Sequence, residues 1–293
     1  MKNEKISYFY ALLAVFFWST VASAFKVALM YVDVLKLLFY ASLTSTAVLF
    51  LVNVIFKTFS IPDKRQIVNS IFLGAINPFI YYLVLFKAYD LLPAQIAQPL
   101  NYTWPIVLSV FSVIFLHQRF HIKLLISILL SFAGVVVLSL GMNFSVKNFD
   151  LVGIFLALAS AFIWASYWIL NMKRTFSPLM GLFLNFLFGT LYSGIFLLIS
   201  GENFLLPNID SLLSLAYVGT FEMGLTFVLW FNALKLSSNT AKISNLIYIA
   251  PFLSLIFIHY IIGEKIRITT LYGLALIVVS ILVQSLNLKK ELT

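Results

Sequence analysis

The sequence predicts an all-α membrane protein, with ten transmembrane helices arranged as a 5+5 inverted-topology repeat and both termini cytoplasmic. Three observations carry that prediction. Of 293 residues, 62% are hydrophobic and 10% charged, against about half and about a quarter in a soluble globular chain. The apolar residues gather into ten runs, each long enough for a helix to cross a hydrocarbon core about 30 Å thick. The last five runs repeat landmarks of the first five at a nearly constant spacing.

The runs cover 6–30, 34–56, 67–87, 94–116, 122–141, 151–171, 179–200, 211–232, 241–262 and 268–287. Turn and charge residues punctuate the joins, as in Pro62-Asp63-Lys64-Arg65, Asp90-Leu91-Leu92-Pro93 and Pro207-Asn208. Loops this short make consecutive helices antiparallel neighbours. What remains is loop and tail, with no room for a soluble catalytic domain. Cysteine is absent, which excludes disulfides, thiol nucleophiles and Cys-based metal sites.

Orientation follows from the positive-inside rule. Twelve Lys and Arg fall on the side of the N-terminus, among them Lys57, Lys64, Arg65, Arg119, Lys173 and Arg174, and five on the other: Lys36, Lys87, Lys147, Lys265 and Arg267. The formal charge of +9 is therefore topology, and no nucleic-acid partner is expected. The first run imitates a secretory signal, with Lys2 and Lys5 ahead of it and Ala22-Ser23-Ala24 as a small-residue site. It is expected to be retained, because it is the repeat partner of the sixth run.

The repeat divides the chain into 1–146 and 147–293, five spans each. Ala11–Trp18 corresponds to Ala157–Trp164 at an offset of 146, which also pairs Pro105 with Pro251, Gln118-Arg119 with Glu264-Lys265, and Ser139-Leu140 with Ser285-Leu286. Phe86-Lys87-Ala88 and Phe231-Asn232-Ala233 match at 145. An odd number of spans per half makes equivalent positions face opposite sides of the membrane. Inverted duplication of this kind marks secondary transporters, whose site lies near the midplane between the halves.

Polar residues inside apolar runs single out candidate site positions. Glu222, at the centre of the eighth run, is the one acid of ten outside loops, tails and span ends. A central acid costs about 2.5–3.5 kcal/mol on insertion scales and so faces a cavity or a partner. It reads as a substrate-ammonium anchor, a proton-coupling carboxyl, or a protonated acid hydrogen-bonded in the helix packing. In the fourth run Gln95, Gln98, Asn101, Tyr102, Pro105 and Ser109 share one helical face. In the ninth, Lys242, Asn245, Tyr248 and His259 do the same, with Pro251 at the matching break. Two such stripes at equivalent places read as a lined pathway, against the alternative of interhelical hydrogen bonding. Pro105 and Pro251 are hinge candidates, each freeing a carbonyl in mid-span. Lys26 and Lys242 either snorkel to the headgroups or serve as charge partners of Glu222 or of a substrate carboxylate. Trp18, Trp164, Tyr167 and Trp168 are candidates for stacking a planar substrate. His117 and His121 share a helix face without a third ligand, so no metal is expected. Nucleotide-binding, HExxH and GxSxG motifs are absent from the sequence, and no cofactor and no enzymatic activity are expected.

These features together resemble the EamA branch of the drug/metabolite transporter superfamily. The likeness spans nearly the whole chain and rests on the duplicated halves, Ala-Leu-Lys-Leu-Ser-Ser at 233–238, Pro251 and Gly263-Glu264-Lys265. Within that branch, Phe16-Phe17-Trp18-Ser19-Thr20, Asn101-Tyr102-Thr103-Trp104-Pro105 and Ala161–Tyr167 are similar to the YddG-type bacterial aromatic amino-acid exporters. The resemblance implies an inner-membrane exporter working by alternating access, with Trp18, Asn101, Tyr102, Trp164 and Tyr167 lining or bordering a central cavity. Gln118 stands where the branch often has an acid, and Phe221-Glu222-Met223-Gly224 departs from the aromatic exporters. The expected activity is export of a small amphiphilic metabolite, foremost an amino acid. Sugars, nucleosides or drugs are alternative cargoes; a passive channel or a membrane-embedded enzyme are alternatives of another class. Expected partners are the small-molecule substrate and membrane lipid, with the chain a monomer or homodimer.

Overall fold

The computed structural model describes residues 3–115, 117, 122–140, 150–171, 177–205, 208–238 and 243–285. Gln118, Arg119, His121, Lys147, Lys173, Arg174 and Lys242 lie outside the described residues. All regular secondary structure among the described residues is helical. Its elements are α1 Glu4–Leu29, α2 Val34–Ile55, α3 Lys64–Gly74, α4 Tyr81–Leu91, α5 Ala94–Asn101, α6 Trp104–Phe115 and α7 Ile122–Leu140. There follow α8 Leu151–Asn171, α9 Pro178–Ile199, α10 Ile209–Tyr217, α11 Thr226–Leu236, α12 Ala250–Phe257 and α13 Ile268–Ser285. Wide π-helical turns, Ala75–Ile80 and Val218–Leu225, join α3 to α4 and α10 to α11, and a 3₁₀ turn, Asn245–Ile249, leads into α12.

Helix starts follow the capping chemistry of the sequence. Asp33 accepts from the Leu35 and Lys36 amides, both at 2.9 Å. Asp63 and Gln66 form a reciprocal capping box at the head of α3, and Asp150 accepts from the Gly153 amide at 2.7 Å. Pro178 occupies the first turn of α9, where its missing N–H has no intrahelical use.

Six helical stretches are long and apolar enough to cross a membrane: Glu4–Leu29, Val34–Ile55, Lys64–Leu91, Leu151–Asn171, Pro178–Ile199 and Ile209–Leu236. Ile122–Leu138, Leu246–Ile262 and Ile268–Val283 are shorter apolar helices. The fourth expected span, 94–116, is not one straight helix. It breaks between α5 and α6 at Tyr102-Thr103, and Pro105 sits in the first turn of the new helix, where its ring does not clash. Pro251 likewise lies in the first turn of α12, after the 3₁₀ turn.

The exterior is apolar and the small polar residues are inside. Phe9, Phe132, Phe155 and Ile199 are exposed, while Ser7, Ser19, Ser42, Ser45, Asn53 and Asn185 are buried, the arrangement expected where lipid is the solvent. Corresponding helices of the two halves pack antiparallel. Between α2 and α9, Asn53 donates to the Leu179 carbonyl at 3.2 Å while Phe39 meets Gly194 at the other end. Thr46 Oγ1 and Thr190 Oγ1, 144 positions apart, lie 2.9 Å from each other. A contact between equivalent residues marks a two-fold axis. The Phe39–Gly194 and Phe50–Phe183 contacts exchange under the same shift. Helix ends obey it too: Lys57 and Gly201 take φ of 52° and 74°, and His117 and Gly263, 146 apart, take 53° and 76°. Helices α7 and α13 also run antiparallel, with Gly134 and Gly273 so close that a Cβ on either would meet the other's carbonyl at 2.8 Å. Across the halves, α1 packs on α11 and α12, and α8 on α4 and α6.

Candidate functional site

The centre of the bundle is built by two irregular helices, one interrupted and one widened. In the first, Asn77 leaves helical geometry (φ −142°, ψ 120°) and Pro78 follows it, so the ladder is interrupted and the face carried by α4 is re-aimed. In the second, the π-helical turns hold Glu222 in their middle. Carbonyls freed by these turns are taken up locally. Ser45 Oγ on α2 donates to the Met223 carbonyl at 2.7 Å, and Thr226 Oγ1 donates to that of Phe221. Such compensation is what allows irregular backbone at this depth.

Glu222 is 8% exposed. Tyr82 Oη donates to its Oε1 at 3.2 Å, while Oε2 has no partner. Among the described residues no cation pairs with it. Tyr81, Tyr89 and Tyr102 also lie within electrostatic reach of the carboxyl. One face of the site is therefore a carboxyl oxygen with spare acceptor capacity among phenol groups.

The aromatic wall adjoins it. Trp164 lies 4.7 Å from the Tyr81 ring and 5.8 Å from Tyr167, the latter at a near-parallel 26°. Phe227 bridges Trp164 at 5.8 Å to Trp18 at 5.9 Å. Asn101, at the C-terminal end of α5, donates through Nδ2 to Ser160 Oγ at 2.8 Å and to Tyr81 Oη at 3.4 Å. Tyr167 Oη accepts from Asn185 Nδ2 at 2.9 Å. The structure thus brings together Trp18, Asn101, Tyr102, Trp164, Tyr167 and Glu222. It adds Tyr81, Tyr82, Ser160 and Phe227, which sequence reasoning passed over, and Asn77 lies in the same span, ahead of Tyr81 and Tyr82. The signal for the span 3 residues was present in Asn77-Pro78, a helix breaker in mid-run.

Other candidates lie elsewhere. Gln95 is at the head of α5, not in the centre. Its Oε1 accepts from the Arg267 amide at 3.1 Å and from Thr270 Oγ1 at 2.8 Å, and its Nε2 donates to Glu264 Oε2 at 3.1 Å. The break at Tyr102-Thr103 separates the two ends of the expected stripe, and Ser109 bonds back to the Pro105 carbonyl at 2.9 Å. Gln98 is buried on α5. Lys26 is not paired with Glu222. Its Nζ donates to the Tyr89 and Leu92 carbonyls at 2.7 and 3.0 Å, neutralising the negative end of α4. Tyr248 is half-buried in the 3₁₀ turn that packs on α1. Asn245 belongs to the same turn; its side chain and Lys242 lie outside what is described. An open hollow of about 900 Å³ lies towards the α1–α2 loop, lined by residues that include Asp33, Lys36, Lys87, Asp90 and Glu202. Among the described residues no group of three or more His, Cys, Asp or Glu is placed to hold a metal ion.

Comparison with known proteins agrees with this architecture. An "Uncharacterized transporter YvbV" of Bacillus subtilis is 29% identical over 214 residues, covering 70% of this chain and 68% of that protein. An "Uncharacterized transporter in sor 3'region" of Acidianus ambivalens is 28% identical over 233 residues, covering 78% and 89%. A solved structure described only as "Crystal structure of protein" superposes with a TM-score of 0.67 over 99% of this chain and all of that one, at 21% identity; the likeness shows a shared fold. The model of the EamA-like transporter family matches twice, at residues 5–140 and 151–286, the two segments that carry the repeated landmarks. With two copies of that unit and apolar helices throughout, this multi-pass integral membrane protein belongs to the EamA-like transporter family.

Proposed function

We propose that the chain is a secondary transporter that exports small amphiphilic metabolites, foremost amino acids with an aromatic or apolar body, across the bacterial inner membrane by alternating access. In this reading the ten apolar runs form ten spans, five from 1–146 and five from 147–293, inverted with respect to each other, with both termini cytoplasmic. The YddG-type aromatic amino-acid exporters are the functional analogues in this reading.

The observation that carries the reading is Glu222: buried, held by Tyr82 through one oxygen, and left with the other oxygen unpartnered. A lone acceptor of this kind at membrane depth has a function when a substrate ammonium or a transported proton occupies it. The aromatic wall of Trp164, Tyr167, Tyr81 and Phe227 supplies apolar area and ring faces for the body of such a substrate. Antiparallel pairing of α2 with α9 and α7 with α13 supports alternating access, since each half can then open the shared centre to its own side. In proteoliposomes loaded with unlabelled amino acid, the protein accelerates uptake of the labelled one. A pore gives no such acceleration, and an enzyme converts the added compound instead.

A further inference from the structure

The two irregular helices carry different polar side chains at equivalent positions, and each keeps unpartnered atoms. A shift of 145 residues superposes Gly74 on Gly219, Asn77 on Glu222 and Phe86 on Phe231. Packing follows the same correspondence. A Cβ on Gly74 would meet the Asn185 carbonyl at 2.6 Å, and one on Gly219 the Ala41 carbonyl at 2.4 Å. Ala41 and Asn185 are related by the shift that relates Thr46 to Thr190. The breaks therefore lie against α2 and α9 in matching ways, one on each side of the Thr46–Thr190 axis. Asn77 is fully buried, and both its Nδ2 and its Oδ1 lack a hydrogen-bond partner, as does Glu222 Oε2. Unpaired polar atoms at this depth are costly, and the three here, two of an amide and one of a carboxyl, sit at two equivalent positions with donor and acceptor capacity to spare.

We propose that Asn77 is the first-half counterpart of Glu222 and binds the carboxylate of an α-amino acid whose ammonium lies on Glu222. This rests on the amine-binding reading of Glu222 given above and extends it to the other end of the substrate. The free groups match: Asn77 Nδ2 offers donors to a carboxylate, while Glu222 Oε2 and Asn77 Oδ1 accept from an ammonium. The difference between the halves also fits. A carboxylate at position 77 would repel the substrate's own carboxylate, and a neutral amide does not. Tyr82, on the helix that continues from Asn77, already reaches Glu222, so the span that carries Asn77 touches the second one at its carboxyl.

The test uses the full-length protein in detergent with L-phenylalanine and 2-phenylethylamine, which share ring and ammonium and differ in the carboxylate. Dissociation constants come from the ligand dependence of the melting temperature. Asn77→Leu removes the unpartnered atoms at similar volume, so the ligand-free melting temperature is held or raised. Phenylalanine binding weakens by about tenfold or more, and phenylethylamine binding is unchanged. Asn77→Asp weakens phenylalanine and strengthens phenylethylamine, a reversal that a packing role does not produce. Loss of both ligands alike in Asn77→Leu, loss of neither, or a fall in its ligand-free melting temperature overturns the proposal. So does wild-type binding of phenylethylamine without phenylalanine, which leaves the amine-binding reading standing. Wild-type binding of neither ligand overturns both.

Discussion

Glu264 ties the second half of the chain to the head of α5, and the strength of that tie sets how often this end of the bundle parts. Its Oε1 accepts from the Ala94 amide at 2.7 Å, and its Oε2 from the Gln95 amide at 3.2 Å and side chain at 3.1 Å. A helix N-cap contributes about 0.5–2 kcal/mol, and hydrogen bonds to a charged acceptor about 1.5–3 kcal/mol. Glu264 is half-exposed, and water replaces part of what is lost, which leaves about 2 kcal/mol for the carboxylate's hold. At 1.36 kcal/mol per tenfold, Glu264→Ala then enlarges the parted population roughly 30-fold. The chain has no cysteine, so Gln98→Cys introduces a single reporter thiol at a position 3% exposed. Its reaction with an impermeant maleimide tracks the parted population when closing outruns labelling. The Glu264→Ala background should label roughly 30-fold faster than the parent, and Glu264→Gln less so because a carbonyl acceptor remains. Equal labelling rates in folded protein of unchanged melting temperature refute the reasoning.

Other consequences are equally specific. Gly189→Ala places a methyl group 2.3 Å from Pro78 Cγ, and Gly219→Ala one 2.4 Å from the Ala41 carbonyl; each should destabilise by about 1–3 kcal/mol, seen as a lower melting temperature in detergent. Thr46→Val and Thr190→Val should show a coupling of about 0.6 kcal/mol in a double-mutant cycle; additive effects would remove the hydrogen bond from the axis. Asn101→Ala frees Ser160 and Tyr81 and should alter which amino acids compete for transport while leaving membrane insertion intact. Unchanged competition would return Asn101 to packing. Reporter tags at both termini should read cytoplasmic, and a C-terminus on the opposite side would break the ten-span count.

Much of the fold is legible in the residues because lipid removes alternatives. Helices follow each apolar run wherever the chain is described, since backbone groups in hydrocarbon must be paired within the segment. Asp33, Asp63 and Asp150 mark helix starts as capping chemistry dictates. Glu222 stands out for the same reason, as an acid at the centre of an apolar run. The geometry between helices is harder to read. In the fourth run a periodicity of about 100° per residue puts Gln95, Asn101 and Ser109 on one face, but the helix breaks at Tyr102-Thr103 and separates Ser109 from the other two, while Gln95 sits nearer the head of α5 than Asn101. Two prolines in that run, Pro99 and Pro105, flank the actual break, and Gln95 instead belongs to the Glu264 contact. Tyr81 and Tyr82 carry no mark among 14 tyrosines, because Trp164 on α8 and Glu222 in the Val218–Leu225 turn become their partners only on folding. Asn77 was hidden by a similar effect: its run is apolar enough to pass for a regular span, and its equivalence to Glu222 requires the 145-residue register. Lys26 leaves snorkelling and charge pairing both open in the sequence, and its partners are backbone carbonyls, which no pattern of side chains announces.

The most direct test of the central claim is counterflow in proteoliposomes, comparing the unaltered chain with Glu222→Gln. Internal unlabelled phenylalanine should accelerate entry of labelled phenylalanine through the unaltered chain. Glu222→Gln, folded to the same melting temperature, should lose that acceleration. Acceleration that survives in Glu222→Gln, or labelled phenylalanine entering at a rate indifferent to what lies inside, would contradict a carrier built around this carboxyl.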